Sequence, residues 1–349
     1  MSINLSATYG GLALKNPIVI GASNIVTDST NLIKLEQAGA AAIVYKSLFE
    51  EQIELESYSH DLKMEAYQGW DAEHDSFFPA VKHAGPAEHL RQLKEAKRTL
   101  TIPLIGSLNC VHDETWVQFA QEMELTGIDG LELNFYAHQN NFETDSASVE
   151  SHQVETLRKV RKAVKIPVFT KLSPFYSNTL RLIKEMDTAG CKGFVLFNRL
   201  FQPDIDIEKE IHHYPYNFST ESDNRLALRF AGLLYSKVNA SIISNTGIFS
   251  GHDVIKMLLA GADAVQVVST IYKRGIGYIE SMLIEIEKWM VNKNYTSLAD
   301  FKGKLSSENM MDPFAYKRAQ YVDILMKSDM FLQYHPKRGE LPHDHYEDI

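Results

Sequence analysis

One phrase occurs four times along this chain: a small residue and glycine, a short gap, an unbroken apolar run, then a polar residue. The copies are AGAAAIVYKS (38–47), TGIDGLELN (126–134), AGCKGFVLFNR (189–199) and AGADAVQVVST (260–270). Glycine behind a periodic segment is a helix stop signal, and the run that follows is too apolar to face water on either side. Strands of that kind belong in a parallel sheet covered by helices.

Four further runs read as strands: NPIVIGAS (16–23), IPLIGSLN (102–109), IPVFTKLS (166–173) and ASIISNTG (240–247). Between most of the runs lie segments with helical period, among them DSTNLIKLEQAG, ETWVQFAQEMELTG, VETLRKVRKAV and GHDVIKMLLAG. Eight alternations of strand and helix predict an α/β chain folded as a (β/α)8 TIM barrel. An open doubly wound sheet would carry a glycine-rich phosphate turn after its first strand, where this chain has GASNIVTDS. The predicted division is a barrel over residues 1–305 and a C-terminal helical extension with a polar tail over 306–349, the stretch 313–327 being helical. Two insertions, 48–85 and 201–223, follow strand carboxyl ends and are expected over the C-terminal face of the barrel. Lids, specificity elements and plain packing surfaces all occur in that position.

Composition narrows the partners. A net charge of -10 and a pI of about 5.7 oppose a nucleic-acid or anionic-membrane surface. The start, MSINLSATYGG, lacks a signal peptide's charged and apolar regions, and no run is long enough for a membrane helix. The two cysteines, Cys110 and Cys191, give neither a disulfide framework nor metal-ligand spacing. A cytoplasmic protein is therefore expected. His335, His343 and His345 in the tail lack a fixed spacing and a second ligand type, which favours a solvated tail over a metal site.

The polar strand endings carry the chemistry, because a barrel of this kind reacts at the carboxyl ends of its strands. They are Ala22-Ser23, Lys46-Ser47, Asn109-Cys110, Asn134, Lys171, Asn198, Thr246-Gly247 and Ser269-Thr270. Lysines and asparagines converging on one mouth call for an anionic or hydrogen-bonding occupant. No acidic residue ends a strand apart from Glu132 within the fourth, which disfavours a divalent metal or a paired-carboxylate hydrolase. The last two strands run into NTGIFSGHD and VVSTIYKRG, whose small residues and following helix suit a phosphate. A phosphorylated planar cofactor fits, FMN in particular. Pyridoxal phosphate would also use a lysine and a phosphate site, but no carboxylate stands out for its ring nitrogen.

Over residues 5–305 the chain resembles the FMN-dependent dihydroorotate dehydrogenases, particularly their soluble dimeric class. The likeness lies in TYGGLALKNPIVIGAS, the lysine of VYKS, the ELN of the fourth strand, TKLSP, the asparagine of LFNR, NTGIFSGHD and the closing LAGADAVQVVST and YTSLADFKGKL. It implies oxidation of dihydroorotate to orotate in pyrimidine biosynthesis, with FMN as cofactor and a homodimeric state. It further implies that Ala22, Ser23 and Lys46 touch the flavin, with Lys46 also beside the substrate. Lys171 would lie at the N1 side of the ring. Asn134 and Asn198 would bond flavin or substrate, and Thr246, Gly247, Ser269 and Thr270 would hold the phosphate.

Two departures qualify that transfer. The family pattern has a cysteine or serine base three residues after the fourth-strand asparagine, and here that position is Ala137. His138, Tyr136 and Cys110 are the candidate replacements, His138 first for its intrinsic pKa. The family's asparagine-rich segment after the second strand is replaced by AYQGWDAEHDSFF, and Gln139 is a candidate to supply one lost substrate contact. Three readings follow: a dihydroorotate oxidoreductase with a relocated base, an FMN oxidoreductase for another substrate, or a flavin-bearing partner subunit. The chain shows no NAD-binding turn and no iron–sulfur cysteines, so any such centre would belong to an external redox partner.

Overall fold

The glycines of the repeated phrase, Gly39, Gly127, Gly190 and Gly261, all adopt positive φ, from 89° to 127°. Each closes a helix and turns the chain into a strand, as the sequence pattern requires. The computed structural model describes residues 3–51, 86–110, 112–135, 142–199, 203–213, 218–311, 316–317 and 319–326.

The predicted eight strands form as Ile18–Ile20, Ala42–Val44, Leu104–Asn109, Gly130–Asn134, Val168–Leu172, Gly193–Leu196, Ser241–Asn245 and Ala264–Val267. Each pairs in parallel with its neighbour in chain order, and the last returns to the first through Val265 opposite Ile18, closing a (β/α)8 TIM barrel. Register sets Asn134 opposite Lys171, so the fourth and fifth strands bring both side chains to one rim. The covering helices have local reasons to start where they do. Asp28, Asn178 and Ser250 each accept a backbone N–H of the first turn, of Asn31, Arg181 and Asp253 respectively.

Burial divides into two cores. The larger lies between barrel and helices, with Leu35, Leu93, Phe119, Leu157, Ile183 and Leu258 among its members. Each such side chain contributes roughly 1.5–3 kcal/mol when fully buried. The smaller core fills the barrel itself with Val19, Val44, Ile105, Phe169, Val195 and Ile243. The antiparallel hairpin Ala7–Tyr9 and Leu12–Leu14 plugs its N-terminal end. There the Tyr9 ring meets Phe169 edge-on at 4.7 Å, and Gly10 N–H donates to Ser241 Oγ. Phe169 fits because its neighbours lack side chains: a Cβ on Gly10, Gly130 or Gly193 would come within 2.3, 2.6 and 3.1 Å of its ring.

Most of the first insertion, 52–85, lies outside the described residues. The second forms a hairpin, Asp204–Asp206 against Ile211–His213, and returns to the barrel mouth through Phe218 and Ser219. Within the stretch predicted to be helical near the C-terminus, a helix spans Ala319–Met326. Just before it, the Tyr316 hydroxyl donates to the Leu305 carbonyl and the ring covers Gly232. The tail histidines lie outside the described residues. No described helix is long and apolar enough to cross a membrane.

Candidate active site

At the carboxyl ends of the strands the barrel opens into a cavity of about 370 Å³. Its lining brings together all ten residues nominated for the cofactor: Ala22, Ser23, Lys46, Asn134, Lys171, Asn198, Thr246, Gly247, Ser269 and Thr270. Three cations, Lys46, Lys171 and Arg199, face it, and no carboxylate does among the described lining residues. Arg199 is paired with Asp223 at 2.7 Å. Lys46 has no hydrogen-bond or ion-pair partner among the described residues. An anionic occupant would complete that balance.

One wall presents backbone donors to the cavity. The amides of Gly247, Ile248, Ser269 and Thr270 have no acceptor among the described residues. The last two open the short helix Ser269–Arg274, ahead of its first internal bonds. Gly247 has φ +70°, and a Cβ there would lie 2.5 Å from Asn224 N and 2.8 Å from Thr220 O. Thr246 before it also has positive φ, at 76°. Asn224 donates to the Gly247 carbonyl at 3.1 Å and to Asp253 at 3.3 Å, fixing the turn from behind. Burial alone would raise the Asp253 carboxyl, but hydrogen bonds from Lys256, the Phe249 amide and Ser250 outweigh it and hold the group low. The turn thus rests on an ionised buttress. The Ser269 hydroxyl accepts from Ser219 N–H at 3.0 Å, and Thr270 donates to the Ile248 carbonyl, joining the last two strand ends.

The opposite wall carries the asparagines. Asn198 donates through Nδ2 to Asn134 Oδ1 and to the Phe135 carbonyl. That arrangement leaves Asn134 an amide donor and Asn198 a carbonyl acceptor for a ligand. Ser23 Oγ and Gln266 Oε1, both in the lining, are buried without a hydrogen-bond partner among the described residues. Below the cavity the fully buried Glu132 accepts from Gln266 Nε2 at 2.6 Å and from the Tyr9 hydroxyl at 3.4 Å, and Lys171 Nζ stands 3.8 Å from its other oxygen.

Other nominated residues stand apart. Cys110 is buried and absent from the described lining, and its thiol is pushed up by burial and by Glu50 and Glu51. Burial and the raised thiol lend no support to a role as proton acceptor. Tyr136, His138 and Gln139 lie outside the described residues. Sequence reasoning missed Asn24, Asn245, Gln266 and Ser219, all of which line the cavity. For Asn245 and Gln266 a signal existed: a lone amide inside an otherwise apolar strand, in IISN and AVQVV, faces the barrel interior.

The sequence model described as "Dihydroorotate dehydrogenase" matches residues 82–290. A protein of Thermoplasma volcanium named "Dihydroorotate dehydrogenase B (NAD(+)), catalytic subunit" is 27% identical over 309 residues, 86% of this chain and 98% of the relative. One of the same name from Methanocaldococcus jannaschii is 25% identical over 301 residues, covering 84% and 95%. "Dihydroorotate dehydrogenase A (fumarate)" of Lactobacillus helveticus is 27% identical over 195 residues, 54% of this chain and 64% of the relative.

Proposed function

Because the chain belongs to the dihydroorotate dehydrogenase family, we propose that it is an FMN-dependent oxidoreductase that removes two hydrogens from a CH–CH bond of dihydroorotate. The observation that carries the reading is the cavity itself, where unsatisfied amides, two lysines and an asparagine pair meet on one barrel rim.

The residues present fit a phosphorylated flavin. The amides of Gly247, Ile248, Ser269 and Thr270 suit three phosphate oxygens, with no carboxylate in the described lining to oppose them. The buried, unpartnered Ser23 Oγ and Gln266 Oε1 need polar partners from an occupant. When bound, the flavin supplies a two-electron acceptor. Lys171 contributes positive charge at the floor, and Lys46 adds a cation that no described residue balances. The free donor of Asn134 and acceptor of Asn198 match adjacent C=O and N–H groups of a dihydropyrimidine ring. Oxidation also needs a proton acceptor. Ala137 cannot serve, and His138 is the residue we assign to it.

The relatives from Thermoplasma and Methanocaldococcus are named as catalytic subunits of an NAD(+) enzyme, which supports a partner subunit for this chain. We infer a cytoplasmic homodimer joined by that partner. A second reading, the same chemistry on another dihydro substrate, is favoured by Ala137 together with the altered 66–78 segment.

Anaerobic addition of dihydroorotate to the purified, FMN-loaded protein separates the readings. Bleaching of the flavin supports the first. Bleaching by other dihydropyrimidines alone supports the second, and protein that takes up no FMN removes both.

A further inference from the structure

The lysine at the cavity floor is not a lone cation. Its Nζ stands 3.8 Å from Glu132 Oε1, in a pair whose side chains are 10% and 0% exposed. No described residue hydrogen-bonds that oxygen, whereas Oε2 takes Gln266 Nε2 at 2.6 Å and Tyr9 OH at 3.4 Å. Gln266 Nε2 also donates to Tyr9 OH at 2.9 Å. The carboxylate is thus anchored by one oxygen and offers the other to Lys171. Glu132 reaches this point because Gly130, Glu132 and Asn134 alternate inward along the fourth strand. Gly130 lets Phe169 pack below it, and Asn134 opens into the cavity.

Resting on the flavin reading above, we propose that Glu132 is a positioning residue that balances the Lys171 charge and so lowers the reduction potential of the cofactor. A lone buried lysine would favour the reduced, negatively charged flavin. A carboxylate beside it cancels much of that field, because opposite charges a few ångströms apart act on a third as a dipole. The remaining groups facing Glu132 are Tyr9 and Gln266, both neutral: burial, then the Glu132 charge, raises the Tyr9 hydroxyl well above its ordinary value. Lys46, which has no counter-charge among the described residues, is then the cavity's unbalanced cation.

The test is the midpoint potential of FMN-loaded protein, measured by equilibration with a reference dye. Glu132→Gln keeps the shape and the Gln266 and Tyr9 contacts while removing the charge. Its reduced-to-oxidised ratio at fixed ambient potential should rise about tenfold, a shift of about 30 mV for a two-electron couple. Lys171→Met strands the carboxylate and should shift the potential down, and adding Glu132→Gln to it should return the value toward wild type. Unchanged potentials in both single variants overturn the proposal. So does a Glu132→Gln protein that folds, by circular dichroism, yet takes up no flavin, since the carboxylate would then be scaffolding. Wild-type protein that binds no FMN instead overturns the function from which the inference starts.

Discussion

Asn198 donates its side-chain amide to Asn134 Oδ1, tying the end of the sixth barrel strand to the end of the fourth across the strand that carries Lys171. The bond fixes which way both amides face, since the same Asn198 nitrogen is also directed at the Phe135 carbonyl. Replacing Asn198 with alanine takes the donor from two acceptors, Asn134 Oδ1 and the Phe135 carbonyl, and removes a further acceptor from the ligand. A loss of about 1–3 kcal/mol is expected, roughly 10- to 100-fold in kcat/KM for flavin reduction by dihydroorotate. Stopped-flow reduction under anaerobic conditions measures it, and a variant as fast as wild type would remove the pair from the substrate site.

Gly247→Ala tests the anion wall. The new Cβ would sit 2.5 Å from Asn224 N in a residue held at φ +70°, so turn and buttress cannot both stay in place. Backbone strain of this kind costs of the order of 1–3 kcal/mol. Weaker FMN binding is expected, read from flavin fluorescence quenching, together with a lower Tm. Gly11, also at positive φ but in the hairpin at the opposite end of the barrel and with open space around its Cβ position, is the control that should leave FMN affinity unchanged.

The barrel was legible because its signals are local. The stop glycine and the apolar run needed no tertiary information, and the strand-end residues followed from where each run stopped. Glu132 was visible too, but only as an acid in the fourth strand. Its part in a Tyr9–Gln266–Lys171 cluster depends on three strands and a hairpin meeting inside the barrel, 123 and 134 residues apart along the chain. Asn224 was hidden for the same reason: its link to Gly247 is made by packing between a helix and a turn. For Cys110 the sequence alone could not say how deeply the thiol is buried, because ending a strand does not decide which way a side chain points; it belongs to the larger packed core.

Stability should fall with acid through His89. Burial, and then the Lys46 charge, lower its imidazole to about 4, and its Nε2 is buried without a hydrogen-bond partner among the described residues. In the unfolded chain the value is about 6.5. Below that pH the unfolded chain takes up the proton first. The stabilisation is therefore whole above pH ~6.5, shrinks as pH falls and is lost through about 4. Over that window about 3 kcal/mol disappears. Urea unfolding at pH 7 and pH 4.5 measures it, and His89→Leu should lose distinctly less than wild type.

The proton acceptor is the last element open to a direct test. A buried thiol near Glu50 and Glu51 resists ionisation, so Cys110→Ala should leave the pH profile of kcat/KM unchanged. His138 has an intrinsic pKa near 6.5, and as base it must be neutral to act. The rate should then rise with pH through that region in the wild type. His138→Ala should abolish this limb and slow flavin reduction by about 10²–10⁴-fold, the range for removing a general base. If the limb survives in His138→Ala and disappears in Tyr136→Phe, the proton passes to the tyrosine instead. The flavin half of the proposal is untouched by that outcome, because it rests on the amides of Gly247, Ile248, Ser269 and Thr270 and on Lys171.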